Sequence, residues 1–331
     1  MSSQILISSI IAAGSSFLIT FLIIPFCMML AQKLDFFDVP DGVVKLHKKR
    51  VPYFGGLAVV SGFFCGLIAT NTLHTLPCLL LIGMLFLFGI GLLDDIFVLR
   101  PWQKFLGQLI SGACFIAAGL YLKTDFFNLW WRIPVSVLWM ATLMNACNLV
   151  DIMDGLATCI TLGALGSFAA IAVALSHYWL LPILAALSGS LCAFLWYNKP
   201  PAQIYLGDAG SLFLGSFLGV CPFLLPWGTY TIYGALAPCI ILAVLLLEVG
   251  GLIIVRTYKR IPFYLPSADH FKSYLMAQGW SVKKIIFFTL FLSAITGYVS
   301  LLFVQGVFSL AITGVMGSVY LAIWILTIYL S

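Results

Sequence analysis

Five aspartates lie in three short stretches of this 331-residue chain: Asp94 and Asp95 in "FLFGIGLLDDIFVLRPWQK", Asp151 and Asp154 in "NACNLVDIMDGL", and Asp208 in "YLGDAGSLFLG". Grouped carboxylates suit a hard divalent cation, and Mg²⁺ typically takes one or two of them together with substrate phosphates. No His/Cys cluster offers a softer metal a home. Other polar stretches suit phosphate. "KLHKKRVPYFGG" sets Lys45, His47, Lys48, Lys49 and Arg50 ahead of Gly55 and Gly56, although such a run also serves as an ordinary anchor at a membrane surface. Gly207, Gly210 and Ser211 surround Asp208 at an expected helix start, where free N–H groups would face an anion.

These residues must be positioned by membrane helices. The chain is 63% hydrophobic and 8% charged, against about 25% charged in a soluble domain. Its mean hydropathy is +1.13. This is the composition of a polytopic, all-α integral membrane protein forming one transmembrane domain over 1–331. Charges and Gly/Pro punctuation delimit eleven expected spans of roughly the length a bilayer requires: 5–31, 56–70, 76–93, 105–122, 133–150, 157–175, 178–197, 209–226, 233–255, 285–305 and 308–330. The first span lacks the basic flank of a signal peptide, because the first lysine is Lys33. An N-terminus outside and a C-terminus inside then place all of the sixteen Lys and Arg residues except Lys123 and Arg132 on the cytoplasmic side. The nine cysteines lie in or beside apolar spans without a CxxC pair and read as small buried hydrophobes.

The same alternation places nine of the eleven acids at the cytoplasmic face, leaving Asp125 outside and Glu248 within a span. Asp94, Asp95 and Asp151 end helices that run inward, where the helix dipole already carries partial negative charge. Three acids in so unfavourable a place call for a compensating cation. Asp154 and Asp208 precede spans and are also compatible with plain N-caps. Successive helical residues point about 100° apart, so Asp94 and Asp95 are expected to play different roles. Glu248 is either functional, as ionisable residues inside spans commonly are, or paired with a polar group of a neighbouring helix.

Together these stretches resemble the polyprenyl-phosphate N-acetylhexosamine-1-phosphate transferases of the WecA and MraY type. The resemblance covers nearly the whole chain. It rests on His47-Lys48-Lys49-Arg50-Val51-Pro52 with Gly55-Gly56, and on Asp94-Asp95 with Pro101, Lys104 and Gln108. It rests also on Asn145, Asn148, Asp151, Asp154, Gly155 and Leu156, and on Trp196 and Asn198 ahead of Gly207-Asp208-Ala209-Gly210-Ser211.

The resemblance implies Mg²⁺-dependent transfer of a sugar 1-phosphate from a UDP-sugar to undecaprenyl phosphate, with release of UMP, at the cytoplasmic face of a bacterial inner membrane. Mn²⁺ is the expected substitute metal. By the same resemblance Asp208 and Asn148 would hold the metal, and Asp94 or Asp95 would hold or deprotonate the acceptor phosphate. Lys104 and Lys49, with His47, would offset phosphate charge. Asn145, Asp151, Asp154, Asn198 and His270 would line the donor pocket. The implied partners are the donor, the lipid acceptor and membrane lipids, with a second copy of the chain left open and nucleic acid excluded.

The chain departs from the family pattern twice: Ile152 replaces a usual glycine, and the last large loop carries His270-Phe271-Lys272-Ser273 in place of an H-x-H-H run. Donor discrimination is therefore expected to reside in that loop. N-acetylglucosamine is the first expectation for the sugar, with deoxy-hexosamine and N-acetylmuramoyl-pentapeptide donors as alternatives. A secondary transporter is the rival from another class. It fits less well, because only Glu248 lies deep and no repeat is visible.

Overall fold

The computed structural model describes residues 3–38, 50–123, 128–227, 233–262 and 269–329. It is all-α, and the one exception among the described residues is a two-residue antiparallel ladder of β1 (Phe37–Asp38) with β2 (Val51–Pro52). The helices are α1 (Ser3–Lys33), α2 (Gly55–Ala69), α3 (Cys78–Phe97), α4 (Pro101–Ala117), α5 (Leu129–Val150), α6 (Leu156–Ala174) and α7 (Leu181–Asn198). They continue as α8 (Gly207–Val220), α9 (Ala237–Ile241), α10 (Ala243–Tyr258), α11 (Phe271–Ala277), α12 (Val282–Val304) and α13 (Leu310–Tyr329).

Among the described residues eight helices are long and apolar enough to cross a membrane, and α9 with α10 form a ninth candidate bent by 71°. Each of the eleven expected segments coincides with a helix or, for 233–255, with this bent pair. α2 has 15 residues, about 22 Å at the α-helical rise, and is short for a bilayer core of about 30 Å.

α8 is the hub. It packs against α3, α5 and α2, and every one of its residues except Asp208 is buried. Its small residues make this close approach possible. A Cβ at Gly215 would lie 2.5 Å from the Met144 backbone of α5, and one at Gly91 of α3 would lie 2.5 Å from the Ala209 backbone. Phe213 and Phe217 then fill the space toward α2, each edge-on to Phe63 with ring centroids 5.7 and 5.8 Å away.

The cysteines do not share one environment. Cys27, Cys147, Cys159 and Cys221 are buried, but Cys78, Cys192 and Cys239 are exposed. The outer face of a membrane helix is apolar too, so composition alone does not separate core from lipid contact.

Candidate active site

The polar stretches converge at one end of the bundle, where α3, α5 and α7 finish and α4, α6 and α8 begin. The turn between α3 and α4 is built for this. Val98 adopts φ 52° and returns its N–H to the Asp94 carbonyl, and the Leu99 N–H donates to Asp94 Oδ1 at 2.6 Å. Pro101 then sits at the start of α4, where its missing N–H costs nothing. Gln103 Oε1 accepts from the Arg100 N–H at 2.8 Å. One turn into α4, Lys104 Nζ lies 2.7 Å from Asp94 Oδ2 and also pairs with Asp208 Oδ2. Asp208 Oδ1 in turn accepts from Asn148 Nδ2 at 2.7 Å, and the same amide donates to Ser211 Oγ at 3.1 Å. Asp94, Lys104, Asp208 and Asn148 thus form one continuous network.

Asp94 and Asp95 differ in their bonding partners. The Asp208 N–H donates to Asp95 Oδ1 at 2.7 Å and the Ala209 N–H donates to Asp95 Oδ2 at 3.1 Å. The start of α8 is therefore occupied by a carboxylate of the protein itself and does not present those N–H groups to a substrate anion. Asp95 is compensated by the dipole of α8, and Asp94 by Lys104, so neither requires a metal to explain its position. Gly207 makes the arrangement possible: its φ is +76°, and an added Cβ would lie 2.7 Å from Asp95 Oδ2.

The Gly55–Gly56 pair has a similar internal use. Its N–H groups donate to the carbonyls of Tyr205 and Leu206 at 2.9 and 2.8 Å, which ties α2 to the segment leading into α8. His47 and Lys49 lie outside the described residues. Arg50 stands 3.8 Å from the Asp35 carboxylate in an exposed pair.

Asp151 forms no ion pair among the described residues, and the Lys272 ammonium acts on it only from a distance. Burial raises its carboxyl well above the ordinary range, and the neighbouring Asp208, Asp95 and Asp154 push in the same direction. Asp154 Oδ2 accepts from the Ala202 N–H at 2.9 Å. Asn198 is 3% exposed and spent on both sides, accepting from the Gly155 N–H at 2.8 Å and donating to the Ile204 carbonyl at 2.9 Å. It fixes the Asp151–Gly155 turn against the segment after α7. Asn145 forms a reciprocal amide pair with Gln108, at 2.8 and 3.2 Å.

His270 is buried and distant from the Asp94–Lys104–Asp208 network in its bonding. Its Nδ1 is 2.8 Å from Glu248 Oε1, which settles the partner of the acid inside the span. The next residues carry the loop back to the site, where Lys272 Nζ donates to the Ile152 carbonyl. Burial lowers the Lys272 ammonium from its usual range, while Asp154, Glu248 and Asp151 act against that. Lys272 lies in the loop expected to discriminate donors, Ser211 stands beside Asp208 in a stretch expected to suit phosphate, and Glu248 was expected to be either functional or paired with a neighbouring helix. Lys272 had a further usable signal: it is the sole Lys or Arg between Arg260 and Lys283.

The donor set fits a small hard cation. Asp208 and Asp151 offer carboxylate oxygens, and Asn148 would offer Oδ1 if its amide turned over. Among the described residues no three His, Cys, Asp or Glu side chains form a ready cage. That is the situation in which Mg²⁺ draws further ligands from water and substrate phosphate.

Residues 77–225 match the model of glycosyl transferase family 4, a range that runs from the start of α3 past the end of α8 and holds the whole network. Among similar proteins is a "Probable undecaprenyl-phosphate N-acetylglucosaminyl 1-phosphate transferase" of Bacillus subtilis (strain 168). It is 31% identical, and the alignment covers 86% of this chain and 82% of the relative. A phospho-N-acetylmuramoyl-pentapeptide-transferase of Lactobacillus helveticus (strain DPC 4571) is 29% identical over 85% of this chain and 94% of its own. One from Campylobacter jejuni is 32% identical over 72% and 78%. With similarity of this extent, the chain belongs to glycosyl transferase family 4.

Proposed function

We propose that this membrane enzyme transfers N-acetylglucosamine 1-phosphate from UDP-N-acetylglucosamine to undecaprenyl phosphate. UMP is released and a lipid-linked envelope glycan is begun. The observation that carries the reading is the Lys104 ammonium set between Asp94 and Asp208, beside the acidic turn of Asp151 and Asp154. Phosphoryl transfer is mostly positioning and charge neutralisation. Here an anionic acceptor has to approach an anionic donor. Lys104 would attract the acceptor phosphate, and Asp94, which accepts from the Leu99 N–H, would hold or take its proton. Asp154, with the turn that Asn198 fixes, lies where the donor would be held. A bound Mg²⁺ would neutralise charge on the donor diphosphate, and Asp208 with Asn148 and Asp151 would hold it. The test is radiolabel transfer from UDP-N-acetylglucosamine into an organic-extractable lipid by the purified protein. Label remaining in the aqueous phase would refute the reaction, and a panel of UDP-sugars would settle the donor. Chelator is expected to stop the transfer, with Mn²⁺ restoring part of it.

The raised carboxyl of Asp151 gives the metal reading a second test. A carboxyl held above its unfolded value favours the folded state at low pH, and that contribution is lost as pH rises through the folded value. A cation replaces the proton, so binding releases it and weakens as pH falls. We expect added Mg²⁺ to raise the unfolding temperature of the detergent-solubilised protein more at alkaline than at mildly acidic pH. Asp151→Asn should flatten that difference. A Mg²⁺ effect independent of pH, or one unchanged in Asp151→Asn, would remove Asp151 from the metal site.

All eleven helical segments, the short α2 and α4 included, are taken to cross the membrane, with the N-terminus outside and the active site at the cytoplasmic face. In a cysteine-free background, single cysteines at Asp94, Asp154, Asp208 and His270 should resist membrane-impermeant thiol reagents applied from the periplasmic side. Periplasmic labelling at any of them would overturn this orientation.

A further inference from the structure

Glu248 is 1% exposed in the interior of α10, where a bare carboxylate would be costly. Both of its oxygens are engaged, and both by the start of α11. His270 Nδ1 is 2.8 Å from Oε1, and the Phe271 N–H donates to Oε2 at 3.3 Å. A ring nitrogen facing a carboxylate oxygen carries the proton, so His270 donates here. An anion at the first N–H of a helix also meets the favourable end of its dipole.

α11 has seven residues, and the Lys259–Asp269 ion pair ties down the chain just ahead of it. Phe271 is fully buried, with its ring 5.1 Å from that of Trp324, and Leu275 is buried as well. Between them Lys272 projects in another direction, onto the carbonyl of Ile152, between Asp151 and Asp154 in sequence. Among the described residues no carboxylate lies within ion-pair distance of its ammonium. Its hydrogen-bond acceptor is neutral, and the Asp151 and Asp154 carboxylates act on it only at longer range, so charge remains for an anionic ligand at that turn.

We propose that Glu248 is a positioning residue for the donor. By fixing His270 and the first turn of α11, it holds the Lys272 ammonium at the Asp151–Asp154 turn, where Lys272 meets the phosphates of the nucleotide sugar. This rests on the transferase reading given above. The acid lies 22 and 23 positions before its two partners, on a different element, and touches no substrate itself.

Glu248→Gln keeps the shape but can satisfy only one of the two donors, because its amide nitrogen would face an N–H. Glu248→Asp keeps the charge. With the full-length protein in detergent, Glu248→Gln and Lys272→Ala should each raise KM for UDP-N-acetylglucosamine about tenfold, the scale of a hydrogen bond to a charged group. KM for undecaprenyl phosphate should not move. The double variant should be no worse than Lys272→Ala alone, because the two changes remove one effect. Glu248→Asp should recover part of the loss. Hydrogen exchange over 271–277 should quicken in Glu248→Gln and stay near wild type in Lys272→Ala. Effects that multiply, an equal rise in both KM values, or α11 exchange unchanged in Glu248→Gln would each overturn the proposal. A wild-type protein that transfers no sugar phosphate would instead sink the transferase reading, while the exchange measurement would still decide whether Glu248 holds α11.

Discussion

Asp208→Asn is expected to lower kcat/KM for transfer by about 10³-fold, near the upper end of what losing one preorganised electrostatic group costs. Asp208 receives Lys104 on one oxygen and Asn148 on the other. The asparagine variant keeps the volume but removes the charge that both of those groups face. It also removes the carboxylate that the proposed metal would use. The fold should survive, because Lys104 retains Asp94 at 2.7 Å and no buried cation is left alone. Transfer assayed in excess Mg²⁺, alongside thermal unfolding in the same detergent, separates the two effects. Activity within tenfold of wild type would remove Asp208 from the chemistry. A variant that fails to fold would show instead that the charge is structural.

Asp94→Asn and Asp95→Asn are expected to fail in different ways, although the residues are adjacent. Asp95 accepts two backbone N–H groups at the start of α8. An asparagine there accepts one and presents its own N–H₂ to the other. Leaving a buried donor unsatisfied costs about 1–3 kcal/mol, so Asp95→Asn should lower the unfolding temperature and displace the hub helix. Asp94→Asn keeps the amide contact to Leu99 through its oxygen and loses the charge beside Lys104. It should unfold near the wild-type temperature and turn over about 10²–10⁴-fold more slowly, the usual contribution of a general base. Binding of the donor nucleotide should persist in Asp94→Asn. Equal destabilisation in the two variants, or normal turnover in Asp94→Asn, would contradict the division of labour between them.

The helices and the approximate location of the site were legible in the sequence for local reasons. Long runs without charge can only be spans, and the bilayer sets their length. The polar stretches interrupt those runs at alternate ends, so up-and-down packing of the helices gathers them at one end of the bundle. The turn of about 100° between neighbouring side chains on a helix was enough to expect Asp94 and Asp95 to face different surroundings. Their actual partners were not legible, because they are distant in the chain. Asp95 caps a helix that begins more than a hundred residues later, and Lys104 bridges to Asp208 across a similar distance.

The expectation of positive charge around the acids follows from the sequence alone, since a carboxylate at a helix C-terminus meets the unfavourable end of the dipole. Which positive charge meets each acid was decided by tertiary structure. Asp94 took an ammonium, Asp95 took the dipole of α8, and Glu248 took His270 with the first N–H of α11. Asp151 was left with its carboxyl raised by burial and by its acidic neighbours. Helix periodicity and apolar length are properties of consecutive residues. The pairing of buried charges depends on which helix ends the packing of α8 against α3 and α5 brings within hydrogen-bonding reach.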